Sequence, residues 1–458
     1  MNNKSISSKD SPKNQKQTPT GESGLISVIR LDGFRRLWIG QIFSQLADKF
    51  YIVLMVFLIT QYWVINSGAQ DNEVLASIAE AIGRDFETRA QAITLLATGI
   101  YVANTIPAMF LGTIAGIGAD RWPKRRLMVA SNGLRAFLVA FAPLCCPSWL
   151  GHFWGYGALL LMTFLESILT QFFAPAEQAS IPLLVPKNKL LAANSLYQAT
   201  SMGATIVGFA LGAPILIILK QSLFKIGISG GEFILLPLCY GVSAISLSTL
   251  YLKENKQIKE KMSALKEIKE GLKFVKSKRT VRGAMLHLVL LYSLLAALYV
   301  FAISLASKIE VLGPEGFGTL LAISGIGMAL GAIVIAQIGH RYSRRRLTVS
   351  GLGAIACSLV FLGQALGNLP FTFSFCGILG VGAALVAIPA QTTIQEDTPE
   401  SQRGRIFGLQ NNLINIALSL PLVLAGTLIT AFDVGPSLRI LAAVAILSAL
   451  LERPWKRC

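Results

Sequence analysis

Twelve apolar runs of about twenty residues each recur along this chain, and a run of that length has few places to go. The hydrocarbon core of a bilayer is ~30 Å thick and a helix rises ~1.5 Å per residue, so about twenty apolar residues cross it once. With no water at that depth, the backbone must satisfy its own hydrogen bonds, which selects helices. The runs fall near 37–62, 91–115, 127–147, 154–180, 190–219 and 232–252, then near 284–307, 318–339, 347–366, 370–394, 404–431 and 436–452. Charged residues make up 14% of the 458 positions against 53% apolar, where a soluble domain carries about a quarter charged. The expected fold class is an all-α membrane protein rather than a soluble helical one.

The order of the runs contains a duplication. Between the second and third lies Gly116-Ile-Gly-Ala-Asp120-Arg121-Trp-Pro-Lys124-Arg125-Arg126, and between the eighth and ninth lies Ala336-Gln-Ile-Gly-His340-Arg341-Tyr-Ser-Arg344-Arg345-Arg346. Both continue into Leu-x-Val, at Leu127 and Leu347. A second pair of landmarks, Ala174-Pro175-Ala176 and Ile388-Pro389-Ala390, ends the fourth run of each half. Matched landmarks in corresponding places predict two pseudo-repeated six-helix bundles, twelve transmembrane helices in all.

Charge sets the orientation. The net charge is +17, and its cations cluster in alternate loops, as the positive-inside rule requires of cytoplasmic ones. The opposite loops are short or acidic; the longest, 63–89, has five acids against two arginines. Both termini are therefore expected in the cytoplasm. The predicted organisation is a disordered cytoplasmic tail over 1–36, an N-terminal bundle over 37–252, a linker over 253–283, a C-terminal bundle over 284–452 and a tail over 453–458. The linker has eleven Lys/Arg against four Glu. Its Ile258, Met262, Leu265, Ile268, Leu272 and Val275 step by three or four, as on an amphipathic helix lying on the membrane surface; a solvated coil is the alternative. The cations follow topology and show no aromatic-interleaved basic patch, so nucleic acid is not expected as a partner. The six cysteines and three histidines show no metal or disulfide spacing, and no P-loop is present.

The turn Gly116-x-x-x-Asp120-Arg121-x-x-Lys124-Arg125-Arg126 resembles the loop 2–3 signature of the major facilitator superfamily, Gly-x-x-x-Asp-Arg-x-Gly-Arg-Arg, and the resemblance extends over the twelve runs. Within that family, 172–194 and 389–407 look most like bacterial exporters of the enterobactin type and the lysophospholipid transporters near them. Pro123 stands where the family has Gly, and His340 replaces the acid in the second copy. The antiport signature of the fifth run is degenerate, with Gly208-x-x-x-Gly212-Ala-Pro214 carrying its proline one residue late. The resemblance implies a secondary transporter of the bacterial inner membrane, not an enzyme. It would need no cofactor, with a proton gradient as driving force, a small-molecule substrate and the lipid bilayer as partners, and a monomeric state.

Ionisable side chains at bilayer depth are costly and mark function by default. In the first run, Gln41, Ser44, Gln45 and Asp48 form one polar stripe, and Lys49 borders it. In the fourth, Thr163, Glu166, Ser167 and Thr170 repeat the spacing. The resemblance places these two helices on a central cavity, so Gln41, Gln45, Asp48, Lys49, Glu166 and Thr170 are the expected substrate and proton site. A structural role in packing is the alternative for each. Arg135, near the end of the third run, is expected to snorkel. The stripes Asn194, Gln198, Ser201 and Thr205, and Asn412, Asn415 and Ser419, either line the pathway or join helices. The turn residues Gly116, Asp120, Arg121, Lys124, Arg125 and Arg126 are expected to form a cytoplasmic gate, in which Asp120 is suited to meet the N-terminus of another helix, by the resemblance the eleventh; an orientation signal alone is the alternative. Two cargoes stay open: a small organic or amphiphilic molecule exported against protons, and a lysolipid moved without strict ion coupling.

Overall fold

A computed structural model describes residues 25–64, 89–227, 229–252, 264–307, 317–364, 367–432 and 434–451, with Glu254 and Ile309 besides. The expected acidic loop over 63–89, the linker positions Ile258 and Met262, and the tail over 453–458 lie wholly or largely outside the described residues. The helices of the first half are α1 (Leu25–Ile29), α2 (Asp32–Leu58), α3 (Arg89–Phe110), α4 (Gly112–Arg121), α5 (Lys124–Ala140), α6 (Pro147–Leu184), α7 (Leu190–Lys225) and α8 (Leu235–Ser248). Those of the second half follow α9 (Ala264–Ser277): α10 (Arg279–Ser307), α11 (Phe317–Ile338), α12 (Arg344–Leu362), α13 (Leu369–Asp397), α14 (Arg403–Phe432) and α15 (Val434–Leu451).

Among the described residues, seven helices are long and apolar enough to cross a membrane, and two bent pairs raise the number to nine. The first pair is α3 with α4, which meet at 55° just after Pro107, and the second is α7, bent by 54° just ahead of Pro214. Proline removes a backbone donor and wedges the preceding turn, which accounts for the bend ahead of Pro214; the first pair breaks at Leu111, beyond Pro107. Helices also stand at the three remaining expected positions. Of these, α5 carries Lys124, Arg125, Arg126 and Arg135 within its 17 residues, more charge than an apolar crossing by itself would bear.

The chain departs from expectation at its start. Residues 25–29 and 32–36 are helical rather than tail, because Val28 and Phe34 are buried against the first bundle and draw the helix start forward to Asp32. The linker forms a helix over Ala264–Ser277 whose Phe274 and Val275 pack on the second bundle, while Leu272 is exposed.

One apolar cluster fills the second bundle and two fill the first, so each half has its own core. The halves meet at the end that carries the basic turns. There α4 crosses α14 with Gly112 and Gly116 against Gly404 and Gly408; a Cβ on Gly116 would stand 2.8 Å from the Cα of Gly408. Two Gly-x-x-x-Gly pairs, one from each half, thus let two backbones touch.

Candidate functional site

Two polar sites lie on this scaffold, one within the first bundle and one between the bundles. In the first, Asp48 of α2, Arg135 of α5, Glu166 of α6 and Tyr240 of α8 converge. Arg135 donates from Nη1 to Asp48 Oδ1 at 2.7 Å, and Glu166 Oε1 stands 3.8 Å from the same nitrogen. The Tyr240 hydroxyl lies 2.9 Å from Asp48 Oδ1 and 3.1 Å from Glu166 Oε1. The guanidinium is sandwiched over the rings of Phe173 at 5.0 Å and Tyr240 at 4.7 Å, contacts that favour a cation where water is excluded. Arg135 is 0% exposed and Asp48 26%, so Asp48 is the less enclosed member of the pair.

The expected snorkelling of Arg135 is therefore corrected. The helix α5 begins at Lys124, which puts Arg135 eleven residues in, ~16 Å along the axis and beyond snorkelling reach. Arg135 and Tyr240 are functional candidates that the sequence alone did not single out. Glu177 is a third: it lies eleven residues beyond Glu166, three helical turns on, and so shares its face. Extending the Thr163, Glu166, Thr170 stripe by that step would have found it.

The other expected site residues fall as follows. Gln41 is buried and donates to the Tyr197 carbonyl at 3.2 Å, and Gln45 accepts from Ser201 at 3.4 Å; both join α2 to α7. Ser44 reaches Asn132, which in turn donates to Ser243, so this part of the stripe joins helices inside the bundle. Thr170 folds back on Glu166, with its hydroxyl 3.1 Å from Oε1. Lys49 turns away toward α7, where its Cβ packs on Gly208, and no ion pair to it is found among the described residues.

At the second site, Asp120 accepts from the Gly404 N–H at 2.6 Å and from the Arg405 N–H at 3.1 Å. These are orphan donors at the start of α14, where the helix dipole also favours an anion. Arg405 Nε lies 3.4 Å from Asp120 Oδ2, and its Nη1 donates to Glu270 of α9 at 3.1 Å. Lys124 is buried rather than a free surface cation: its N–H and ammonium both bind Glu254, at 2.9 and 3.3 Å. Arg125 and Arg126 are exposed at the rim, as is Arg121. Behind this rim, Asn194 donates to Thr392 and Gln395 at 3.0 and 2.7 Å, Gln391 to Gln178 at 3.0 Å, and Asn412 to Thr113 at 2.8 Å. Asn411 reaches Gln171, and Asn415 the Ala108 carbonyl. These residues lie within ~20 Å of the turn-bearing ends of their helices, so they form a polar seal across one side of the molecule.

This architecture agrees with known proteins. The chain is 28% identical over 375 residues to an uncharacterised MFS-type transporter, YfiS of Bacillus subtilis, covering 78% of this chain and 84% of the relative. It is 27% identical over 352 residues to the multidrug efflux pump Tap of Mycolicibacterium fortuitum, covering 72% and 80%. The crystal structure of the human organic anion transporter MFSD10 superposes with a TM-score of 0.72 at 15% identity, over 92% of this chain and 98% of the other, which shows the fold. The family pattern matches residues 37–422, across both halves and both glycine-lined helices, and the chain belongs to the Major Facilitator Superfamily of transporters.

Proposed function

We propose that this transporter is a proton-coupled exporter of a small organic or amphiphilic molecule, working by alternating access as a monomer in a bacterial inner membrane. Its termini are cytoplasmic and its cytoplasmic side is shut in this arrangement. The observation that carries the proposal is a count of protons. The Tyr240 hydroxyl stands within hydrogen-bond distance of both Asp48 and Glu166, yet a hydroxyl has one proton to donate. Both contacts are hydrogen bonds only when one carboxyl holds a proton of its own. Charge gives the same result. Two carboxylates face one guanidinium, Arg135 takes Asp48 as its closer partner, and Lys49 is turned to α7. Glu166 is then the group completed by a proton, and Asp48 its route to the solvent-facing side.

The seal supplies the other half of the mechanism. With Asp120 on α14 and the glutamine and asparagine contacts made, the two bundles are shut on the basic-turn side. Protonation inside one bundle can drive transport only if it biases the seal, and α6 connects them directly, carrying Glu166 in the cluster and Gln171 and Gln178 in the seal. The efflux name of the Tap relative supports export as the direction. The likeness of 172–194 and 389–407 to lysophospholipid transporters makes a lysolipid the competing cargo.

The test is transport in proteoliposomes with ethidium as one probe and a fluorescent lysophosphatidylethanolamine as another. An imposed pH gradient should drive ethidium movement, and Asp48→Asn should abolish that drive. Gradient-independent movement of the lysolipid, unaffected by Asp48→Asn, would overturn proton-coupled export.

A further inference from the structure

Glu177 has no part in the cluster or in the seal, although its helix carries residues of both. It is 2% exposed. The Tyr197 hydroxyl donates to its Oε2 at 3.0 Å, while Oε1 is buried with no hydrogen-bond partner. The charged groups acting on it are Arg135 of α5 and Asp48 of α2, with Glu166 three turns along its own helix; Tyr292 of α10 acts on its partner Tyr197. The next residue, Gln178, accepts from Gln391 at 3.0 Å and Gln395 at 3.3 Å, and Ala179 packs into the core of the other bundle. Glu177 thus sits one residue from the seam along which the bundles must part.

We propose that Glu177 is a second proton-carrying residue of this transporter: it holds a proton while the seal is closed and releases it to the cytoplasm when the seal opens. The proposal rests on the proton-coupled mechanism above and assigns its inner exchange site. A carboxylate with one hydrogen bond and one bare oxygen, shut away from water at bilayer depth, is a costly arrangement. A neutral carboxyl has no charge to desolvate and tolerates the site. When Gln178 and Asn194 part from Gln391 and Gln395, water reaches the seam. The Oε1–H bond then breaks, the proton passes to that water, and the carboxylate left behind faces Arg135, whose Nε and Nη2 are buried without hydrogen-bond partners. Tyr197 is a positioning residue that holds the carboxyl at the seam and, through its carbonyl, meets Gln41 of α2.

The experiment is infrared spectroscopy of the purified full-length protein in lipid nanodiscs, following the C=O stretch of protonated carboxyls without substrate. The wild-type protein should show such a band at neutral pH with slow hydrogen–deuterium exchange. Glu177→Gln should remove the Glu177 part of it and leave the part due to Glu166, and Glu177→Asp should move the Glu177 part to the aspartic acid frequency, which keeps the test open if the glutamine variant folds poorly. Gln395→Ala, which loosens the seal without touching Glu177, should speed exchange of the band at least tenfold. A spectrum unchanged by either Glu177 substitution, or an exchange rate indifferent to Gln395→Ala, overturns the proposal. Neither outcome depends on ethidium transport, so failure here and failure of proton-coupled export are separately visible.

Discussion

The Arg135 guanidinium is 2.7 Å from the Asp48 carboxylate and wholly shut off from solvent, while Asp48 keeps one side open. This pair is the hinge between a structural and a functional cluster. Arg135 is fixed by two aromatic faces and two acids from three other helices, so it holds the first bundle together; Asp48 is the less enclosed partner. A buried ion pair is weak evidence for net stability, but removing one partner strands the other.

Arg135→Met should therefore unfold more than it disables. With Asp48 left uncompensated, the expected loss is about 3–5 kcal/mol. It is measured as a lower denaturation midpoint in detergent. Arg135→Lys should recover little, since an ammonium has neither the planar fork nor the stacking between Phe173 and Tyr240. The double variant Arg135→Met with Asp48→Asn should melt closer to the wild-type protein than Arg135→Met does. If it melts lower instead, the pair is not the source of the loss.

Tyr240→Phe separates coupling from folding. The ring and its contact with Arg135 remain, and the lost hydroxyl costs about 1 kcal/mol of stability. What goes is the donor shared between Asp48 and Glu166. Ethidium export driven by a pH gradient should fall about tenfold or more, while exchange of ethidium across vesicles without a gradient continues. Equal loss in both assays would reduce Tyr240 to packing.

Much of this was legible in the chain, and what was not has a physical reason. Run lengths and the repeated turn follow from bilayer thickness and from the repetition of the two halves, which act on local sequence. Asp120 was legible because a helix start favours a carboxylate and the family resemblance supplied which helix. Arg135 was not, because its depth depends on where α5 begins and its partners lie 31 to 105 positions away, a span found from Glu166, Asp48 and Tyr240. The same holds for Gly112 and Gly404: each glycine pair is visible, but not that the pairs face one another.

Asp120→Asn tests the seal at its rim. The amide can still accept a hydrogen bond, but the charge at the helix start is lost, a change of about 1–2 kcal/mol in a part-buried site. At ~1.4 kcal/mol per factor of ten, the open population should rise about tenfold. The measurement is thiol labelling of Gln171→Cys from the cytoplasmic side in an otherwise cysteine-free chain. Glu270→Gln should shift labelling less, because Glu270 is 45% exposed and its bond to Arg405 is screened by solvent.

Gly408→Val puts the strictest condition on the closed arrangement. A Cβ at Gly408 would stand 2.7 Å from the Gly116 Cα and press on the Gly112 carbonyl, both of them backbone that no rotamer change can move. Valine adds two methyl groups to that overlap. The helices α4 and α14 must separate, which also carries the Gly404 and Arg405 N–H groups away from Asp120. The substitution is otherwise favourable to a membrane helix, since valine is apolar and the position needs no special backbone angle. The protein should therefore insert and stay folded while losing closure. Labelling of Gln171→Cys should become fast and insensitive to Asp120→Asn, because the contact that Asp120 makes is already broken. Gly203→Val is the control, as a Cβ there meets nothing within 4 Å. Slow labelling in Gly408→Val, equal to that of the control, would mean that the glycine crossing does not hold the seal shut.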